Sequence, residues 1–199
     1  PYTRYLHDRG YDGDNPWHDH ANSGVDDAGN VLSGWFLKNS SEAANVAEPD
    51  SETPYLTRRG IAFIESAQAP WLCHLSYIKP HWPYIVPAPY HDMYGPEHVP
   101  GVVKDAREKA DPHPVYGAYM DTLIAKSFSR DEVREKVIPA YMGLIAQCDD
   151  QMGRLFAYLE ESGRMEDTMI VLTSDHGDYL GAHWLGEKDL FPDPSVQVP

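Results

Sequence analysis

Hydrophobic positions along this chain form two helix-then-strand patterns behind a long polar lead-in. After Thr53-Pro54, a capping residue followed by one pre-shaped for a first helical turn, Leu56, Ile61, Ile64 and Ala67 keep helical spacing. Pro70 ends that helix. Trp71–Ile78 is then mostly apolar, which predicts a buried strand. The pattern recurs downstream: Tyr141, Leu144, Ile145, Cys148, Met152, Leu155, Phe156 and Leu159 mark one long helical face, Gly163 its C-terminal cap, and Met169–Leu172 a second apolar strand. Between the two patterns a short helical piece is expected around Ala88–Tyr94 and a helix over Tyr116–Phe128. Ser129 with Glu132 reads as a capping box, and Pro139 is expected to interrupt or restart the helix. The order helix, strand, helices, strand predicts an α/β fold with a parallel sheet.

Residues 1–52 are polar and acidic, with one short apolar piece, Val31–Leu37. They read as a functional loop or surface insertion. His18, Asp19 and His20 are metal-binding types at close spacing, but in this context they read as part of a solvated loop.

The ends of the two predicted strands carry the chemistry. Met169–Leu172 runs into Thr173-Ser174-Asp175-His176-Gly177-Asp178, and ligands of open α/β sheets bind at the carboxyl ends of strands. Asp175 and His176 offer a hard oxygen and a borderline nitrogen, a pair suited to a divalent cation. Lys188 follows after a short loop as a fixed positive charge. The other strand runs into Lys79-Pro80-His81-Trp82-Pro83-Tyr84, where two prolines stiffen the backbone around His81. The local pattern serves a proton-transfer histidine and a structural histidine of a Pro-rich loop equally well. His74 reads as a core residue, and His91, His98 and His113 as surface residues. Asp149-Asp150 reads as helix surface with one carboxylate anchoring a neighbouring loop.

Composition narrows the classes. The 199 residues suffice for one sizeable domain, and 42% hydrophobic with 12% aromatic content fits a packed core. A net charge of -15 argues against a nucleic-acid partner. It does not exclude an anionic substrate, because a bound metal and a few cationic side chains set the local field. Cys73 and Cys148 have no CxxC context and read as buried free thiols. No Gly-rich phosphate loop or nucleophile elbow is visible. No run reaches membrane-spanning length and no leader is visible, so no membrane partner is expected and the expected location is cytoplasmic. Both ends read as cut, which leaves a periplasmic or secreted location open.

At this point the residues resemble a known family. Ser174–Gly181 with His183 and Lys188 resembles the second metal-binding block of sulfatases and phosphonate monoester hydrolases, in the alkaline phosphatase superfamily. Leu75–Tyr84 followed by Ala88–Tyr94 is similar to their middle block, and Ser51–Thr57 to their helix start. The His-Trp-Leu-Gly-Glu-Lys run leans toward the phosphonate monoester hydrolase branch. The resemblance implies an alkaline phosphatase-like sandwich, a mostly parallel central sheet flanked by helices, of which residues 1–199 are a partial catalytic domain. It implies a hydrolase of sulfate, phosphonate or phosphate esters that acts on a small anionic ester with one divalent ion, Mn2+ or Ca2+, with Zn2+ also open. Asp175 and His176 would be metal ligands; His81 and Lys188 would contact the ester oxygens or assist the leaving group. His183 would be a supporting or structural residue, and Lys79 a flanking group that screens the pocket. The family's nucleophile, a formylglycine or serine in a Cys/Ser-x-Pro-x-Arg motif, is absent here, so no nucleophile is assigned in this chain and the isolated 199 residues are expected to be inactive. Ala182 and Pro192 depart from the family pattern. Assembly into identical copies stays open, as does the alternative of a degenerate non-catalytic member or a metal-holding binding module.

Overall fold

In the computed structural model, which describes residues 1–198, the helices are α1 (Tyr2–Asp8), α2 (Glu52–Ser66), α3 (Ala106–Ala110), α4 (Pro114–Met120), α5 (Leu123–Phe128), α6 (Asp131–Glu161) and α7 (Asp193–Val196). A small antiparallel ribbon joins β1 (Ser23–Val25) to β2 (Val31–Ser33). The 31-residue α6 is the spine. Its first half buries Val133, Val137, Ala140 and Leu144 against Tyr84, Val86, Tyr90 and Phe128. Gly143 lets α6 approach Tyr90 closely, since a β-carbon there would stand 2.4 Å from the Tyr90 carbonyl oxygen. The Tyr90 hydroxyl in turn donates to Asp150 at 2.5 Å, the anchoring role expected of that acidic pair.

α2 packs on α6 through a polar seam. Gln147 Nε2 donates to the Ser51 hydroxyl at 2.8 Å and to Glu48 at 3.2 Å, and Gln151 Nε2 reaches the same carboxylate at 3.3 Å. Buried amides need such partners, and the seam fixes the register of the two helices.

Three local expectations fail for identifiable reasons. Pro139 lies inside α6 without ending it. A proline removes one backbone bond and crowds the preceding turn, but Val137, Ile138 and Ala140 are buried around it and their packing carries the helix through. Ser129 does not cap α6: its hydroxyl donates back to the Ala125 carbonyl at 2.7 Å, and Arg130 precedes α6 without a side-chain bond. The polar lead-in is more structured than its composition suggests. α1 buries Tyr2 and Leu6 with Ala21, Ala44, Val46 and Ile85, and Asp50 accepts from Tyr5 (2.5 Å), Arg9 (3.0 Å) and Tyr11 (3.2 Å). His18 pairs with Asp19 at 3.2 Å while His20 turns to the Asp12 carbonyl and Asn45, so these residues do not converge.

The largest difference concerns the two apolar runs. Neither Trp71–Ile78 nor Met169–Leu172 pairs as a strand; among the described residues the only sheet is β1–β2. Yet half-buried Trp71, Cys73, Leu75 and Tyr77 alternate with exposed Leu72, His74, Ser76 and Ile78, the period of an extended chain with one face covered. His74 is on the bare face, not in the core. Met169 to Leu172 are all exposed, Met169 at 89%. A ladder needs a neighbour's N–H and C=O groups, and no segment of the described chain is placed to supply them. A groove of about 850 Å³ lies between the runs, floored by Ile64, Leu155, Phe156 and Leu159 and reaching His81, Asp175 and His176.

Candidate active site

The chain beyond each apolar run is held firmly. In the first tip the Lys79 ammonium donates to the Pro83 carbonyl at 2.7 Å and to Asn22 Oδ1 at 3.1 Å, and Cys148 Sγ meets the Lys79 carbonyl at 3.4 Å. Inside that loop His81 Nδ1 lies 2.7 Å from the Trp82 carbonyl oxygen. A carbonyl only accepts, so the proton sits on Nδ1 and Nε2 keeps its lone pair for exchange.

The second tip turns sharply. A β-carbon on Gly177 would lie 1.9 Å from the Pro194 carbonyl oxygen, so this position requires glycine; its N–H donates to the Ser195 carbonyl at 2.8 Å. Leu180, His183, Trp184 and Glu187 all have positive φ. Such backbone costs free energy and persists only where surroundings dictate it. Here they do. Buried Arg134 of α6 donates to the Leu180 carbonyl at 3.1 Å, Tyr119 of α4 to the Gly186 carbonyl at 2.7 Å, and Trp184 Nε1 to the Asp105 carbonyl at 2.8 Å. Lys109 stands 4.0 Å over the Trp184 ring. His183 Nδ1 pairs with Glu108 of α3 at 2.6 Å, so its partner is this outer clamp and not the other site candidates. The Ser195 hydroxyl of α7 holds the Lys188 carbonyl at 2.7 Å.

The two tips meet. Lys188 Nζ contacts His81 Nε2, and the His81 and His176 rings stand edge to face at 5.8 Å. Below them the Tyr84 hydroxyl donates to Asp178 across 94 positions of sequence. Burial, then the Asp178 charge, pushes the Tyr84 phenol far above its ordinary range. Burial also raises the Asp178 carboxyl, against the lowering effect of the Tyr84 hydroxyl. The proton therefore stays on Tyr84, and the pair is a rigid strut between the tips. Sequence reasoning assigned no role to Tyr84 or Asp178. The one available signal was an acidic residue directly after His176-Gly177.

The donor chemistry of the second tip fits a cation. His176 Nδ1 lies 2.8 Å from the Gly177 carbonyl oxygen, which keeps the proton there and leaves Nε2 as a ligand atom. That Nε2 is 3.8 Å from Asp175 Oδ2, a gap a divalent ion spans with bonds of about 2.0–2.6 Å to each atom. Asp175 is exposed and free to adjust, its side chain 88% accessible. No cluster of three or more His, Cys, Asp or Glu able to hold a metal occurs among the described residues, so the pair alone does not make a complete coordination shell. Both cysteines are free; Cys148 is buried and its thiol pushed up to about 11 by that burial, which makes it a poor nucleophile, whereas Cys73 is half-buried and not the buried thiol the sequence suggested.

Comparison with known proteins gives a consistent result. The family description Sulfatase matches residues 3–199. The multifunctional alkaline phosphatase superfamily protein PehA of Trinickia caryophylli is 34% identical over 163 residues, covering 75% of this chain and 32% of that protein. An arylsulfatase of Clostridium perfringens is 29% identical over 150 residues, covering 74% and 31%. The solved phosphonate monoester hydrolase of Silicibacter pomeroyi superposes with a TM-score of 0.84 at 29% identity, over 100% of this chain and 40% of that one. The chain thus spans about a third of the length of the curated relatives it matches.

Proposed function

The chain belongs to the sulfatase family, within the alkaline phosphatase superfamily and its α/β fold class, and from that membership we propose that it is part of the catalytic domain of a metal-dependent hydrolase of sulfate, phosphonate or phosphate esters. The observation that carries the reading is the meeting of His81, Lys188 and His176 from two distant tips. Asp175 and His176 would hold a divalent ion, Mn2+, Ca2+ or Zn2+, which when bound supplies Lewis-acid polarisation of the ester's oxygens. Lys188 offsets charge that builds on the equatorial oxygens during in-line displacement. His81, its Nδ1–H fixed on the Trp82 carbonyl, takes up a proton at the Nε2 that faces Lys188 and passes it to the leaving oxygen. The same reading makes Trp71–Ile78 and Met169–Leu172 strands of a mostly parallel sheet whose other strands lie outside residues 1–199.

Between substrates, phosphonate monoesters are favoured by the Silicibacter pomeroyi superposition, and sulfate esters by the arylsulfatase relative. A panel of aryl phosphonate, aryl phosphate diester and aryl sulfate given to the whole protein separates them. His81→Ala and Lys188→Ala are each expected to lower turnover of the accepted ester by on the order of a hundredfold. Full activity in both variants refutes the assignment.

A further inference from the structure

The Lys79 ammonium has no obvious reason to be where it is. It is buried, 9% exposed, and its hydrogen-bond acceptors, the Pro83 carbonyl and Asn22 Oδ1, are neutral. The nearest opposing charge that acts on it, Glu52, is itself raised by burial. Burial pulls Lys79 down to about 8, only partly offset by Glu52. Placing a cation there costs stability, and an apolar side chain of similar length would avoid the cost. What the ammonium does achieve is geometric. It closes the loop Lys79–Pro83 on itself and pins it to the segment after Ala21, while Cys148 of α6 holds the loop's first carbonyl. His81 sits in the middle of this loop, and the Trp82 carbonyl that fixes its tautomer is next to the Pro83 carbonyl that Lys79 grips.

We infer that Lys79 is a positioning residue: by gripping the Pro83 carbonyl and Asn22 it sets the His81 imidazole for proton delivery to the leaving oxygen. The inference rests on the role proposed for His81 and gives that role a support that does not touch substrate. A group acting through the leaving-group acid has a signature that a general structural role lacks. Its loss matters most where the leaving oxygen most needs a proton.

The test is kcat/KM of the whole protein on aryl monoesters of the accepted class, graded in leaving-group pKa from 4-nitrophenol to phenol. Wild type, Lys79→Met, His81→Ala and the double variant are compared. Lys79→Met is expected to lose about tenfold or more on phenyl esters and little on 4-nitrophenyl esters. His81→Ala is expected to show the same grading more steeply, and the double variant to be no slower than His81→Ala alone. Asn22→Ala, which leaves the Pro83 grip in place, is expected to show the grading at smaller amplitude and covers the case in which Lys79→Met does not fold. A loss uniform across leaving groups, or additive with His81→Ala, overturns the positioning role while leaving the function of His81 intact. No grading in His81→Ala overturns both.

Discussion

The tips and the bodies of the two apolar runs are adjacent in sequence and opposite in character. Residues 79–84 and 176–188 are tied to α3, α4, α6 and α7 by side chains from every side, and they carry the candidate chemistry. Residues 71–78 and 169–172 have apolar sequences but no strand partner among the described residues, and their outer faces are bare. The tips are thus built by local, side-chain-mediated ties that residues 1–198 already contain. The strand bodies depend on neighbours, because a ladder is a property of two segments. The ends of the two runs can therefore be brought together by elements other than a ladder between them.

The sharpest way to break this comparison is a pair of truncations in the 199-residue chain. Leu144, 1% exposed in the α6 core, is expected to cost about 2–5 kcal/mol as Leu144→Ala, whereas Leu172, 61% exposed, is expected to stay within about 0.5 kcal/mol as Leu172→Ala. Equal losses in denaturant titrations would mean that the apolar run is packed after all. Next in size is the strut between the tips. Tyr84→Phe leaves the half-buried Asp178 carboxylate with only its Leu180 N–H donor and is expected to cost about 1–3 kcal/mol in the same titration. No change there would show that the tips are held apart from one another.

The third effect is a pH dependence. Lys79 falls to about 8 in the fold from an ordinary 10.5, so between those values the unfolded chain binds the extra proton and stability rises with pH. Cys148, raised to about 11, acts in the opposite sense above 9. The contribution of Lys79 is therefore read as wild type minus Lys79→Met. That difference is expected to be flat below pH 8 and to move in favour of wild type above it. A flat difference up to pH 10 would show that the ammonium is not desolvated.

α2, the long α6 and both tips were legible in the sequence for physical reasons, whereas the one helix expected over Tyr116–Phe128 is two, α4 and α5. Helical spacing is written within a dozen residues, and prolines or a glycine announce a stiff turn wherever they fall. That His81 would come near Lys188 and His176 was expected from reading both runs as strands with their ends at one site; the ends do meet, although neither run pairs as a strand. What could not be read was set by distant partners. The Tyr84–Asp178 bond joins residues 94 apart and leaves no periodic trace. Pro139 breaks a helix by its local rule, and only the buried residues around it decide otherwise. α1 is seven residues long, too short for a pattern to stand out, and is defined by what Leu6 and Tyr2 meet. The strands were legible as apolar runs, but pairing is not written in one run.

The central proposal is that Asp175 and His176 present one cation beside His81 and the Lys188 that contacts it. Elemental analysis of the whole protein tests it most directly, with wild type, Asp175→Ala, His176→Ala and Lys188→Ala purified side by side. Wild type and Lys188→Ala are predicted to carry the same divalent ion in the same amount, and Asp175→Ala and His176→Ala to have lost it. Undiminished metal in Asp175→Ala and His176→Ala would contradict the account.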